Sequence, residues 1–160
     1  MSTRSIIARP TPSGFAGRYV HREGAPTHRI PALLTAVRGH FGGDIQAAAR
    51  FYLDDHPAGW ERLGTDFRAM PGSIGPGVDQ DAGHNRCFCH GTRSEDACLI
   101  TQDTVDPLWH EWIYLLRHEG LQVIRTDWRK CTQADWASHL LPWSTDPNAP
   151  LPATAALTEL

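Results

Sequence analysis

Leu108-Trp109-His110-Glu111-Trp112-Ile113-Tyr114-Leu115-Leu116 is the stretch on which the fold class turns. Leu108, Trp112, Leu115 and Leu116 recur at helical spacing behind Asp106 as cap and Pro107 in a first turn, whereas the aromatic and β-branched content suits a strand buried on both faces. The residues that follow decide between these readings. Arg117-His118-Glu119-Gly120 reads as a turn and Leu121-Gln122-Val123-Ile124-Arg125-Thr126 as a second β-rich run, so 109–126 is read as a hairpin.

Working outward, Ile6 and Ile7 precede the turn-rich Arg9-Pro10-Thr11-Pro12-Ser13-Gly14, and Phe15 to His21 resumes with aromatic and β-branched residues. That is a hairpin with a loop of moderate length, placing Phe15, Tyr19 and His21 on one face and Arg18, Val20 and Arg22 on the other. Pro31 suits the first turn of a helix carrying Leu33, Leu34, Val37 and Phe41 until Gly42-Gly43. Asp44 caps a second helix with Ile45, Ala48, Ala49 and Tyr52 on its stripe, ending at Asp54-Asp55-His56-Pro57 because the residue before proline avoids helical dihedrals. Arg86 to His90 and Ala97 to Thr101 read as strand, turn, strand. Thr132 with Asp135 reads as a capping box opening a short helix on which Trp136 and Leu140 share a face. The expected fold is therefore α+β: a mostly antiparallel sheet of β-hairpins covered by two consecutive helices. One globular domain spans 1–143, and the Pro/Ala/Thr-rich 144–160 is a flexible, disordered tail.

Length and composition agree with one domain, since 160 residues at 41% hydrophobic content can bury a core but not two. No apolar run approaches the ~20 residues of a membrane span. The start lacks the apolar segment of a secretory signal, which gives a cytoplasmic expectation. There, four cysteines are more readily reduced thiols, metal ligands or catalytic groups than a disulfide framework. Charge is uneven: residues 1–50 hold seven arginines against two acids, a balance of +5 that leaves −8 for the remainder of a chain whose total is −3. The positive third either docks on the acidic remainder or presents Arg18, Arg22 and His21 of the N-terminal hairpin to a protein or anionic partner. Nucleic acid stays open, although no basic run is contiguous.

Met1-Ser2-Thr3-Arg4-Ser5-Ile6-Ile7-Ala8, then Tyr19, Val20, His21, Glu23, Gly24 and Pro26, and again Glu111-Trp112-Ile113-Tyr114, carry a likeness to a known group. They resemble a family of small uncharacterised proteins of actinobacteria and their phages, with the form Met-Ser-Thr-Arg-Ser-x-Ile-Ala followed by Tyr-Val-His-x-(Asp/Glu)-Gly-x-Pro. Members commonly read His-Trp-Asp-Gly-Tyr-Pro where this chain has His21-Arg22-Glu23-Gly24-Ala25-Pro26, so two aromatics are absent here. The resemblance implies an α+β domain in a phage or mobile-element setting and leans toward strands at 109–126. It carries no activity and no catalytic residues.

Soft-ligand chemistry concentrates in His84-Asn85-Arg86-Cys87-Phe88-Cys89-His90 and at Cys98. Cys87, Cys89 and Cys98 with His84 or His90 are the donor types of a zinc site, and Cys131 could replace any of them. On a straight strand Cys87 and Cys89 face one side, about 6.6 Å apart, while His90 faces the other, so chelation requires the chain to bend at Cys89-His90-Gly91. Without that bend the cysteines, Cys131 included, are small core residues. A second reading makes Cys87 or Cys89 a nucleophile activated by His21, His84 or His118, with Glu95 or Asp96 orienting the histidine. His110-Glu111 lacks the second histidine of the zinc-protease motif, and Gly72-Ser73-Ile74-Gly75-Pro76-Gly77 lacks the Lys-Ser/Thr of a phosphate loop. The Gly/Pro-rich 64–85 segment is a long loop and a candidate partner surface. These residues point first to a non-enzymatic accessory or binding protein stabilised by zinc, and second to a small cysteine- or metal-dependent hydrolase acting near Cys87 to His90.

Overall fold

Among the described residues eight strands form one sheet, seven side by side and one joined off that path. A computed structural model describes residues 2–68, 83–90 and 96–150. The strands are β1 Ser5–Thr11, β2 Gly14–Val20, β3 Trp60–Arg62, β4 Arg86–Cys87, β5 Ile100–Thr101, β6 Trp112–Leu116, β7 Gly120–Arg125 and β8 Ser138–Pro142; seven lie in the order β4-β3-β2-β1-β6-β7-β8, and β5 joins β2. The sheet is mixed, which corrects the mostly antiparallel expectation: β1 runs parallel to β6, and β2 parallel to β3. The β1–β2 and β6–β7 hairpins are antiparallel pairs as expected, but they join through parallel neighbours, which leave no local mark on the sequence, and the cysteine-bearing hairpin expected over 86–101 does not form: β4 pairs with β3 and β5 with β2.

The first hairpin is tighter than expected, with register from Ser5↔Val20 to Thr11↔Gly14 and only Pro12 and Ser13 in the turn. The deciding stretch is a strand over Trp112–Leu116, buried at every position. Alternation then separates two cores. Trp112, Tyr114 and Leu116 join Ile7, Val20, Leu121, Val123 and Leu141 beneath the helices. Ile113 and Leu115 join Ile6, Ala8, Phe15, Ile100 and Trp136 on the opposite face.

Helix α1 spans Pro26–Arg38, starting a turn earlier than Pro31 suggests: Pro26 occupies the first turn and Pro31 lies inside the helix. Helix α2, Ile45–Ala49, is capped by the Asp44 carboxylate, which accepts from the Ala47 N–H at 3.0 Å. It widens into a π-helical turn over Arg50–Asp54, closed by the Asp55 N–H on the Arg50 carbonyl. Gln133–Asp135 forms one 3-10 turn, and the chain then enters β8, so the short helix expected behind Thr132 is a strand. Thr132 Oγ1 does bond Asp135 Oδ2, at 2.8 Å, but the turn ends at Trp136. Leu141 is buried and Leu140 is 45% exposed, the alternation of a strand rather than a shared helical face.

Much of the N-terminal positive charge is used inside the fold. Arg29, 1% exposed, donates to the carbonyls of Leu63, Arg22 and Glu23. Arg9 pairs with Asp54 at 2.8 Å. Of the expected tail, Thr145 accepts from Arg38 and 151–160 lie outside the described residues, as do 69–82 of the long loop. Among the described residues no helix is long and apolar enough to cross a membrane.

Candidate metal centre

The sequence bends where chelation requires it. β4 ends at Cys87, opposite Trp60 of β3, and residues 88–90 leave the strand as a turn. The Phe88 N–H is anchored on the Gly59 carbonyl at 3.0 Å, which fixes the start of that turn against the 56–59 segment. Gly59 has φ +88, a conformation that side chains rarely adopt, and a Cβ there would stand 2.8 Å from the Tyr19 carbonyl oxygen.

The π-helical turn delivers the fourth donor. Its last residue precedes Asp55-His56-Pro57, and His56 packs its ring against Trp60 and Phe51, with centroids 4.5 and 5.0 Å away. Trp60 is itself held by its indole N–H on the Tyr52 carbonyl at 2.9 Å. Widened helical turns of this kind often mark functional positions, because they re-aim the residues that follow.

His56, Cys87, Cys89 and His90 thereby offer one ligand atom each, all within 4.8 Å of one another. Cys87 Sγ lies 3.1 Å from His90 Nδ1, and Cys89 Sγ 3.6 Å from His56 Nδ1. Tetrahedral zinc, with Zn–S of about 2.3 Å and Zn–N of about 2.0–2.1 Å, sets sulfur and nitrogen about 3.6 Å apart. The Cys89–His56 edge has that length, and the Cys87–His90 edge needs to open by about half an ångström. Burial is graded across the site: His56 and Cys87 are 6% exposed, Cys89 is half-buried and His90 reaches solvent.

Electrostatics suit a cation. Burial, with the neighbouring His90 adding to it and Asp55 opposing, lowers His56 to about 4, so its imidazole is neutral near pH 7 and has a lone pair available. Burial pushes the Cys87 thiol up to about 11, and the hydrogen bond and charge of Cys89 add to the shift. A divalent cation reverses that balance, since a coordinated thiol ionises.

Other residues expected at the site stand elsewhere. His84 faces Asp66, with Nδ1 3.6 Å from its carboxylate, and Arg68 holds the same carboxylate through both oxygens. Cys98 is exposed, its carbonyl accepts from Arg18 at 2.9 Å, and it is not among the four clustered donors. Cys131, expected as core, is exposed as well. Arg18 also donates to the Leu53 carbonyl, Arg22 lies 3.3 Å from Glu61, and His21 Nδ1 lies 2.7 Å from the Tyr19 hydroxyl. The expected partner-binding trio is thus engaged within the fold. Sequence reasoning missed His56, whose visible role was to end a helix before Pro57.

The chain matches no protein-family model, no curated protein and no solved structure.

Proposed function

We propose that the protein is a non-enzymatic binding module whose 87–90 turn is closed by one structural zinc ion held by His56, Cys87, Cys89 and His90. The observation that carries this reading is the convergence of four soft or borderline donors within 4.8 Å. Two thiolates and two imidazoles are a set that zinc favours, and four protein ligands leave no open position for substrate, which is the mark of a structural rather than a catalytic site. The setting we propose is an accessory protein of a bacterium or phage, on the resemblance of its N-terminal segment and of Glu111 to Tyr114.

The 3.1 Å contact of Cys87 with His90 favours a second reading, a cysteine hydrolase. Against it, the Cys87 side chain is buried, and a nucleophile must be reached by its substrate.

Two measurements separate these. Protein purified without added metal contains one zinc per chain, and His56→Ala or Cys89→Ser loses it while Cys98→Ser keeps it; absence of zinc from the unaltered chain rejects the metal reading. Mild alkylation at neutral pH modifies the exposed Cys98 and Cys131 first and spares Cys87 and Cys89. Rapid, selective modification of Cys87 or Cys89 would instead establish the activated thiol of the hydrolase.

A further inference from the structure

Beside the knuckle lies a second concave site, whose lining includes none of the four donors. Phe88, which stands between Cys87 and Cys89 but is not a donor, lines a cavity of about 430 Å³ together with Tyr19, Ala58, Leu99, Trp109 and His110. Leu99 and Trp109 are 54% and 47% exposed, so a large part of this apolar wall is uncovered. The volume falls in the range of small-molecule sites, which pair apolar walls with a few placed polar groups.

His110 supplies the polar group. It is 8% exposed, and the Asp106 N–H donates to its Nδ1 at 3.0 Å. That bond fixes the tautomer, leaving the proton on Nε2. Nε2 has no hydrogen-bond acceptor among the described residues, and the ring lines the cavity. That N–H, on a ring that lines an otherwise largely apolar wall, is free to donate to an incoming oxygen. The imidazole is held neutral, because burial lowers its pKa more than Asp106 raises it. Charges around the cavity oppose one another: Asp96 lies on its lining, and the Arg4 guanidinium stacks 3.7 Å from the Trp109 ring centroid.

We infer that this cavity binds a small uncharged aromatic molecule carrying one acceptor oxygen, with its ring between Phe88, Tyr19 and Trp109 and its oxygen on His110 Nε2. The inference deepens the binding half of the proposed function and does not depend on the metal half.

The test titrates the folded full chain as purified with acetophenone, followed by amide and indole NMR shifts, against ethylbenzene, which has a similar shape without the oxygen, and against benzoate. Acetophenone is expected to saturate shifts at Phe88, Leu99, Trp109 and His110, and to bind about tenfold more tightly than ethylbenzene, the worth of one hydrogen bond. Benzoate is expected to bind more weakly than acetophenone. His110→Phe keeps a ring of similar size and removes the donor, so it should bring acetophenone down to the level of ethylbenzene. Trp109→Ala, at an exposed position, should weaken both. Equal binding of acetophenone and ethylbenzene to the unaltered chain, or no saturable shift with a folded chain, overturns the inference while leaving the zinc reading intact. A folded, zinc-free chain that binds acetophenone does the reverse.

Discussion

His56 shows how one side chain can be assigned two roles by its neighbours. Pro57 stops the helix at it, and the ring then packs beneath Trp60, 3.6 Å from Cys89 Sγ at its Nδ1. His84, closer in sequence to the cysteines, is instead oriented toward Asp66. Replacing His56 with alanine is expected to weaken zinc binding at least about tenfold, whereas His84→Ala leaves it unchanged; competition with a chromophoric chelator measures both. In metal-free protein the same residue sets a pH dependence. Below its ordinary value of 6.5 the unfolded chain takes up a proton that the folded His56 refuses until about pH 4. Stability contributed by the neutral ring is therefore complete above about 6.5 and is lost as pH falls toward about 4, with His110, also lowered by burial, acting in the same direction. Urea denaturation across that window should show the decline, and His56→Phe should reduce its slope. A stability that rises on acidification would contradict the burial argument.

At the scale of elements, Gly59 and β8 carry the clearest consequences. Gly59→Ala forces a left-handed φ of +88 on a residue with a Cβ and crowds the Tyr19 carbonyl. It should destabilise the fold by about 2 kcal/mol or more and weaken zinc binding as well, because the Gly59 carbonyl anchors Phe88. For β8, Leu141→Ala is expected to cost about 2–5 kcal/mol and Leu140→Ala less than about 0.5, a contrast measured by thermal or chemical unfolding. A cost at Leu140 as large as that at Leu141 would contradict the strand alternation. The sequence was legible wherever a segment's own pattern determined it: the β1–β2 and β6–β7 hairpins, the Asp44 cap, and the burial of Trp112–Leu116 on both faces. It misled where a local signal outlived its element. Thr132 and Asp135 make their side-chain contact, yet tertiary pairing with β7 draws Ser138–Pro142 into the sheet. Cys87, Cys89 and His90 were readable as donors because they adjoin one another. His56 was not, because its approach depends on Trp60 pairing with Cys87 across the long intervening loop, and no local pattern records such a pairing.

Across the whole molecule, the two cores divide the labour. The helix-side core takes Tyr52, Trp60, Trp112 and Tyr114, and the guanidinium of buried Arg29 ties α1 to the carbonyls of Arg22, Glu23 and Leu63. The first third of the chain is positive because part of its charge works inside the fold, and truncating Arg29 to alanine should cost about 3 kcal/mol or more by stranding those carbonyls. The metal knuckle sits at the β3–β4 end of the sheet, where strands of three and two residues supply little pairing. A metal cross-link there would replace the cohesion that short strands lack, since metal binding to a folded site adds directly to folding stability. X-ray absorption at the zinc edge of the purified chain tests this most directly. The account predicts a first shell of two sulfurs at about 2.3 Å and two nitrogens at about 2.0–2.1 Å. A shell containing three sulfurs, or none, would contradict it.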